Sequence, residues 1–237
     1  MARANTRVPH WGMVIDLNRC IGCETCAVAC KVAHDLPDGV WWNRVLTVGG
    51  NGLDVVAGSV EDPRAFALPL SCQHCADAPC VKACPTGATF RRPDGIVLVD
   101  AEQCIGCRAC VQACPYGART FIGEAPRHAH VDFPLGEPAA PRHVRGVVEK
   151  CTFCADRLDA GLEPFCVAVC PARARFFGDL SDPGSLVRRL IAERNAETLH
   201  PELGTRPSVY YIAPTKASTH RTGLDRLQPG ASDVLRR

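Results

Sequence analysis

The sequence predicts an α+β fold of short β-hairpins and short helices, built in duplicate and joined by long loops. Three observations predict it. Apolar runs suited to strands are brief, as in Met13-Val14-Ile15 and Ile96-Val97-Leu98-Val99. The chain repeats itself: Ile15-Asp16-x3-Cys20-Ile21-Gly22-Cys23 matches Val99-Asp100-x3-Cys104-Ile105-Gly106-Cys107, and a fixed internal repeat outranks local propensity. All 16 cysteines fall into four compact groups. The 237 residues have room for one large or two small domains. Aromatics at 6% and only 2 Met leave a conventional aromatic-rich core thin.

In chain order, Met13–Ile15 is the first strand. Cys26–Ala33, which carries the last two cysteines of the first group, is a short helix. Residues 38–70 carry Trp41-Trp42 and the turn-forming Gly49-Gly50-Asn51-Gly52, and so read as a hairpin. Pro93-Asp94-Gly95 turns the chain between Thr89–Arg92 and Ile96–Val99, a second hairpin. Cys110–Cys114 is another short helix. Residues 124–143 hold Pro126, Pro134, Pro138 and Pro141 and read as a long loop facing a partner. A longer helix is expected to begin at Ser181-Asp182, with Pro183 at its first position, and to run through LVRRLIAERN. From residue 214 to 237 the tail is polar, either disordered or wrapped over a partner.

The chemistry lies in the cysteines. Group one is Cys20, Cys23, Cys26 and Cys30; group two is Cys72, Cys75, Cys80 and Cys84. Group three is Cys104, Cys107, Cys110 and Cys114; group four is Cys151, Cys154, Cys166 and Cys170. Groups one and three read C-x2-C-x2-C-x3-C, the run with which bacterial ferredoxins hold cubane iron–sulfur clusters. Sixteen thiolates taken four at a time make four [4Fe–4S] clusters. Disulfides are the first competing reading. The opening MARANTRVPHWGMVIDLNRC has no apolar signal core, and dense cysteine without an oxidising compartment reads as metal ligation. Zinc is the second. Groups two and four alone would pass for zinc knuckles, but three cysteines within seven residues wrap one face of a cluster and aim the fourth elsewhere. Assembly of the clusters is expected to be coupled to folding.

The surroundings suit anionic clusters. Arg19, Lys31, Lys82, Arg108, Arg119, Lys150, Arg173 and Arg175 flank the groups. Each taken singly reads as a solvated surface charge; as a set they fit clusters better than nucleic acid, because no basic run with interleaved aromatics occurs. Gly22 and Gly106 are expected to let the backbone approach a cluster where a Cβ would clash. Proline follows the last cysteine in three groups, as Cys84-Pro85, Cys114-Pro115 and Cys170-Pro171, and ends each helical turn. The formal net charge is +2, and no stretch approaches the ~18–20 apolar residues of a membrane span.

Group two is spaced C-x2-C-x4-C-x3-C and group four C-x2-C-x11-C-x3-C. In this order, with Cys72-Gln-His-Cys75, Asp94-Gly-Ile-Val97, Glu149-Lys-Cys-Thr-Phe-Cys154 and Gly204-Thr-Arg-Pro-Ser-Val-Tyr-Tyr211, the chain resembles one family. It is the iron–sulfur electron-transfer subunit of molybdopterin oxidoreductases of the dimethyl sulfoxide, polysulfide, thiosulfate and tetrathionate reductase and sulfite dehydrogenase type. The resemblance covers roughly residues 12 to 213.

That resemblance implies two packed ferredoxin-like modules with two clusters each. Residues 12–66 plus 144–213 would form the outer module from groups one and four, and 67–123 an inserted module from groups two and three. It also implies that fourth cysteines are exchanged. One cluster then takes Cys20, Cys23, Cys26 and Cys170; the next takes Cys151, Cys154, Cys166 and Cys30. The inserted module holds Cys72, Cys75, Cys80 with Cys114, and Cys104, Cys107, Cys110 with Cys84. Nitrate-reductase-like relatives carry tryptophan at the second position of group three and a three-iron cluster there; Cys107 at that position implies four-iron clusters throughout.

The leading function is an electron relay without catalysis of its own. The implied partners are a large catalytic subunit carrying a molybdenum or tungsten bis-pterin guanine dinucleotide, and an integral-membrane quinone-binding subunit. The chain would be membrane-associated through those partners, on either face. A free-standing polyferredoxin shuttle is the second reading, although the chain is longer than a shuttle needs. An enzyme built on His34, His74, His128, His130 and His143 is the third, and no nucleophile–base constellation accompanies them. His74, between two ligands, is expected to pack or to act behind the ligands.

Overall fold

The computed structural model describes residues 7–49, 56–61, 63–127, 133, 135–138, 140 and 142–214. His128, His130, the Asn51 turn and the tail beyond Pro214 lie outside the described residues. In order the elements are β1 (Trp11–Asp16), α1 (Thr25–Ala33), β2 (Asn43–Val48), β3 (Ala57–Gly58), β4 (Pro63–Arg64) and β5 (Phe66–Ser71). There follow α2 (Pro79–Lys82), β6 (Thr89–Arg91), β7 (Val97–Val99), α3 (Ala109–Gln112), β8 (Thr120–Phe121) and β9 (Val148–Glu149). The chain ends with α4 (Ala155–Asp159), α5 (Phe165–Ala168), β10 (Arg175–Asp179), α6 (Leu186–Glu193), a 3-10 turn (Pro201–Leu203) and β11 (Val209–Ile212). Short helices and small sheets are the expected mixed content.

One three-stranded sheet ties the two ends together. β1 is its centre, antiparallel to β10 and parallel to β11, with Met13 opposite both Phe177 and Val209. Because β10 follows group four and β1 precedes group one, this pairing draws those groups toward each other, and α1 packs on α5. Residues 38–70 do form a hairpin. β2 and β5 pair antiparallel from Asn43–Ser71 to Val48–Phe66, with β3 and β4 in the excursion between. The second hairpin is β6–β7, turned at Gly95 with φ 90°. Strands β10 and β11 are additional to those expected. β11 is an apolar run in its own right, Val209-Tyr210-Tyr211-Ile212, whereas β10, with Arg175 and Gly178 in it, is made a strand by pairing with β1.

The late helix starts at Leu186 rather than at Pro183. Asp182 Oδ1 accepts the Gly184 N–H at 2.9 Å, closing an Asp-Pro-Gly turn. Ser185 is the cap instead, its hydroxyl accepting the Arg188 N–H. The described part of 124–143 contains no helix or strand, and it is fastened to the chain: Glu137 N donates to Ala33 O and Asp38 N to Arg127 O. Among the described residues no helix is long and apolar enough to cross a membrane.

Candidate metal centres

The repeat extends to the backbone. After the first cysteine of group one, Gly22 (φ 68°) and Glu24 (φ 58°) are left-handed; in group three Gly106 (φ 67°) and Arg108 (φ 61°) are the same. Such turns curl successive N–H groups inward, a concavity that suits an anion. The glycines also allow close approach of the protein itself. A Cβ on Gly106 would collide with the Gly146 carbonyl, and one on Gly22 would press on Ala67 in β5.

Four thiols from two distant groups line each of three cavities. Cys20, Cys23, Cys26 and Cys170 line one, with Pro171 and Arg175. Cys30, Cys151, Cys154 and Cys166 line a second, with His34, Asn43 and Ser71. Cys104, Cys107, Cys110 and Cys84 line a third, with Gly106 and Thr89. Burial pushes the Cys75 thiol up to about 12, and the thiols that add to this are Cys72, Cys114 and Cys80. Burial likewise takes Cys114 to about 11, with Cys72 its foremost thiol neighbour in charge. Among the described residues, which include every cysteine, all sixteen are free thiols.

The linings fit a sulfur-ligated cluster. Among the described residues no three His, Cys, Asp or Glu side chains converge tightly enough for a single ion, whereas four thiols surrounding a void suit a polynuclear group. Asn43 Nδ2 is buried without a partner and belongs to the lining of the second cavity. It is a spare donor beside four prospective sulfur ligands. Backbone donors already point at sulfur: Thr89 N to Cys84 Sγ at 3.4 Å, Phe153 N to Cys151 Sγ at 3.4 Å and Ala174 N to Cys170 Sγ at 3.3 Å. Burial opposes ionisation of Cys84, yet the Thr89 and Thr86 donors hold it down to about 7. Burial drives Cys151 up to about 12, with the Cys72 and Cys166 charges adding to it. Loading metal at such sites displaces protons, so metal affinity is pH-dependent.

Three flanking cations are not solvated charges. Arg175, Arg119 and Lys150 are 4%, 6% and 3% exposed. Arg119 Nη2 donates to Cys80 Sγ at 3.0 Å, Arg175 Nη2 to Cys26 Sγ at 3.4 Å, and Lys150 Nζ to the carbonyls of Val97 and Cys151. Burying a charge is costly unless it is paired, and the thiol groups are the available counter-charge. Arg19, Lys82, Arg108 and Arg173 remain exposed or half-exposed.

Two histidines lie among the cysteine groups. His34 Nε2 lies 3.2 Å from Cys154 Sγ, a contact across 120 residues that spacing could not reveal. His74 is fully buried, and its Nδ1 accepts the Val97 N–H at 3.1 Å. Burial first, then Lys150 and Arg119, hold its pKa well below the usual histidine range, so the ring is neutral. His143 is bound to Glu149 and to the His34 carbonyl instead.

Sulfur ligation of this kind holds one-electron redox clusters, so the fold and its cavities define a cluster-binding electron-transfer protein. Two family descriptions match: a 4Fe-4S dicluster domain over residues 64–129 and 133–180, and a 4Fe-4S binding domain over residues 11–32. A Halobacterium salinarum protein provisionally named as the iron-sulfur subunit of a dimethyl sulfoxide reductase is 47% identical over 86% of this chain and 79% of its own. The arsenate respiratory reductase iron-sulfur subunit of a Shewanella species is 40% identical over 85% of this chain and 95% of its own. A tetrathionate reductase subunit from Salmonella typhimurium is 41% identical over 86% of this chain and 72% of its own. The chain belongs to this family of iron–sulfur subunits of multi-subunit reductases, which transfer electrons and are not the catalytic subunits.

Proposed function

We propose that this chain relays electrons between a large molybdopterin catalytic subunit and an integral-membrane quinone-binding subunit, through four [4Fe–4S] clusters. The ligand sets are Cys20, Cys23, Cys26, Cys170; Cys151, Cys154, Cys166, Cys30; Cys72, Cys75, Cys80, Cys114; and Cys104, Cys107, Cys110, Cys84. The observation that carries this reading is the mixed lining of the cavities, where the fourth cysteine of one group stands with the first three of another. Residues 12–66 with 144–213 then act as one ferredoxin-like module and 67–123 as the other. When bound, the clusters supply one-electron steps at potentials set by charge, hydrogen bonding and burial.

The chain's own residues hold, tune and expose. Cys23 and Cys107 are exposed, beside Ile21 at 69% and Ile105 at 67%. Those two sets offer apolar faces to partners. The sets containing Cys154 and Cys75 are sealed by the β1 sheet, by β2–β5 and by the main apolar core, which excludes water from the middle of the relay. His74, between Cys72 and Cys75, stacks on Phe153, between Cys151 and Cys154, at 3.7 Å, and the Cys72 charge acts on Cys151, so the two inner sets adjoin. Attachment to the membrane is through the quinone-binding partner.

Iron and acid-labile sulfide should each come to about sixteen per chain. Mass spectrometry of the native complex should find a large pterin-containing chain with it. Iron near half that value, or zinc, would end the four-cluster reading. A species of the chain's own mass would favour a free shuttle.

A further inference from the structure

Arg175 and Arg119 occupy the same place in the internal repeat. Each stands five residues after the cysteine of a Cys-Pro pair, Cys170-Pro171 and Cys114-Pro115. Arg175 opens β10 beside β1. Its Nη2 lies 3.4 Å from Cys26 Sγ and 3.1 Å from Asn43 Oδ1, and its Nη1 3.7 Å from Cys166 Sγ and 3.5 Å from Met13 Sδ. Cys26 and Cys166 line different cavities. Arg119 donates to Cys80 Sγ at 3.0 Å and to Thr89 Oγ1 at 3.2 Å. Thr89 lines the next site together with Cys110, so Arg119 touches the walls of both; the charges of Cys80, Cys72 and Cys110 act on it.

Among the described residues neither guanidinium pairs with a carboxylate. A buried guanidinium keeps its charge and needs an anion. For Arg175 the anions within reach are thiolates of two cluster sites at once; Arg119 reaches a thiolate of one site and Thr89 in the wall of the other.

We propose that Arg175 and Arg119 are bridging cations, each shared by the two cluster sites of a module, and that each raises the reduction potentials of its pair together. Reduction adds one negative charge to a site. A fixed positive charge at hydrogen-bond distance from its ligand sulfur favours the reduced form, more strongly in a low-dielectric interior than in water. The other two repeats carry Asp35 and Thr89 at this position, so there is one such bridge per pair. The inference rests on the cluster reading above, but not on the exchange of fourth cysteines, since Cys26, Cys166, Cys80 and Cys110 are not the exchanged residues.

EPR-monitored redox titration of the intact complex tests it, with parent, Arg175→Gln, Arg175→Lys and Arg119→Gln proteins. Arg175→Gln should lower the midpoint potentials of two of the four clusters and leave the other two in place. Arg119→Gln should lower the complementary two. Arg175→Lys, which keeps the charge, should shift its pair less than Arg175→Gln does. Unmoved potentials, an upward shift, or a shift of one cluster alone would overturn the bridge. So would loss of iron from either glutamine variant, because the guanidinium would then be an assembly element. Iron content of the parent reads the cluster assignment separately, before any variant is compared.

Discussion

His74 and Phe153 stack ring on ring, with centroids 3.7 Å apart and planes 26° from parallel. They are equivalent residues, the second spacer in Cys72-Gln73-His74-Cys75 and in Cys151-Thr152-Phe153-Cys154. Both are left-handed, with φ 42° and 55°, and both are buried. The stack is thus the junction where groups two and four face each other. Phe177 closes it edge-on, 5.3 Å from Phe153. Phe153→Ala should cost about 3–5 kcal/mol, as large aromatic truncations in packed cores do, and Phe153→Leu distinctly less. Denaturant melts of the cluster-loaded proteins measure both. Equal stability of parent and alanine variant would remove this stack from the forces joining the two inner groups.

Much of this was legible in the sequence. The cysteine groups, the repeat, β1, α1 and the Pro93-Asp94-Gly95 hairpin all rest on local spacing, and local spacing survives folding. What was not legible depends on contacts across the chain. β10 carries no alternating apolar pattern and is a strand because β1 offers it hydrogen bonds. β11, Val209-Tyr210-Tyr211-Ile212, is the exception, a legible apolar run whose parallel partner β1 lies near the other end of the chain. The α6 start was misplaced because Asp182 and Ser185 compete as caps, and Gly184 lets Asp182 close a turn. Arg119, Lys150 and Arg175 read as surface charges because sequence gives residue type and not burial. The matching position of the two arginines after Cys-Pro was the available clue. His34 gave none, since its partner Cys154 lies in another group.

Cys30→Ser separates the two ligation schemes. Cys30 is buried in the cavity with Cys151, Cys154 and Cys166, and their charges act on its thiol. Reduced-state EPR of the variant should show one altered cluster, with at most about four irons lost. A Cys154→Ser protein should disturb the same signal and Cys23→Ser a different one. If Cys30→Ser and Cys23→Ser perturb one common cluster, each group keeps its own fourth cysteine.

Gly106 and Gly22 are equivalent in sequence and unequal in surroundings. Both are left-handed, so alanine at either bears the penalty of about 1–2 kcal/mol for that conformation. At Gly106 the new Cβ also meets the rigid carbonyl of Gly146, whereas at Gly22 it meets only the Ala67 methyl at 3.3 Å. Gly106→Ala should therefore lower the melting temperature more than Gly22→Ala and should loosen the cluster on Cys104, Cys107 and Cys110. Parallel thermal melts with iron analysis decide. Equal effects would mean that backbone conformation alone matters there.

His143 gives the fold a pH dependence of definite sign. Its Nδ1 lies 2.8 Å from Glu149 Oε2 and its Nε2 2.8 Å from the His34 carbonyl. Burial lowers its pKa, but Glu149, the His34 carbonyl and Asp35 outweigh burial, so the net shift is upward from 6.5. A folded pKa above the unfolded one means that the protonated ring stabilises the fold. That contribution is complete below the unfolded value and fades as pH rises through the folded one. His143→Gln should therefore be less stable than parent by the largest margin near about pH 6, with the margin shrinking toward about pH 8. A hydrogen bond to a charged partner sets the scale, about 1.5–3 kcal/mol at its fullest. Denaturant melts of both proteins across that range provide the comparison. A margin that widened with rising pH would show that the ring is neutral in the fold and that Glu149 does not hold its proton.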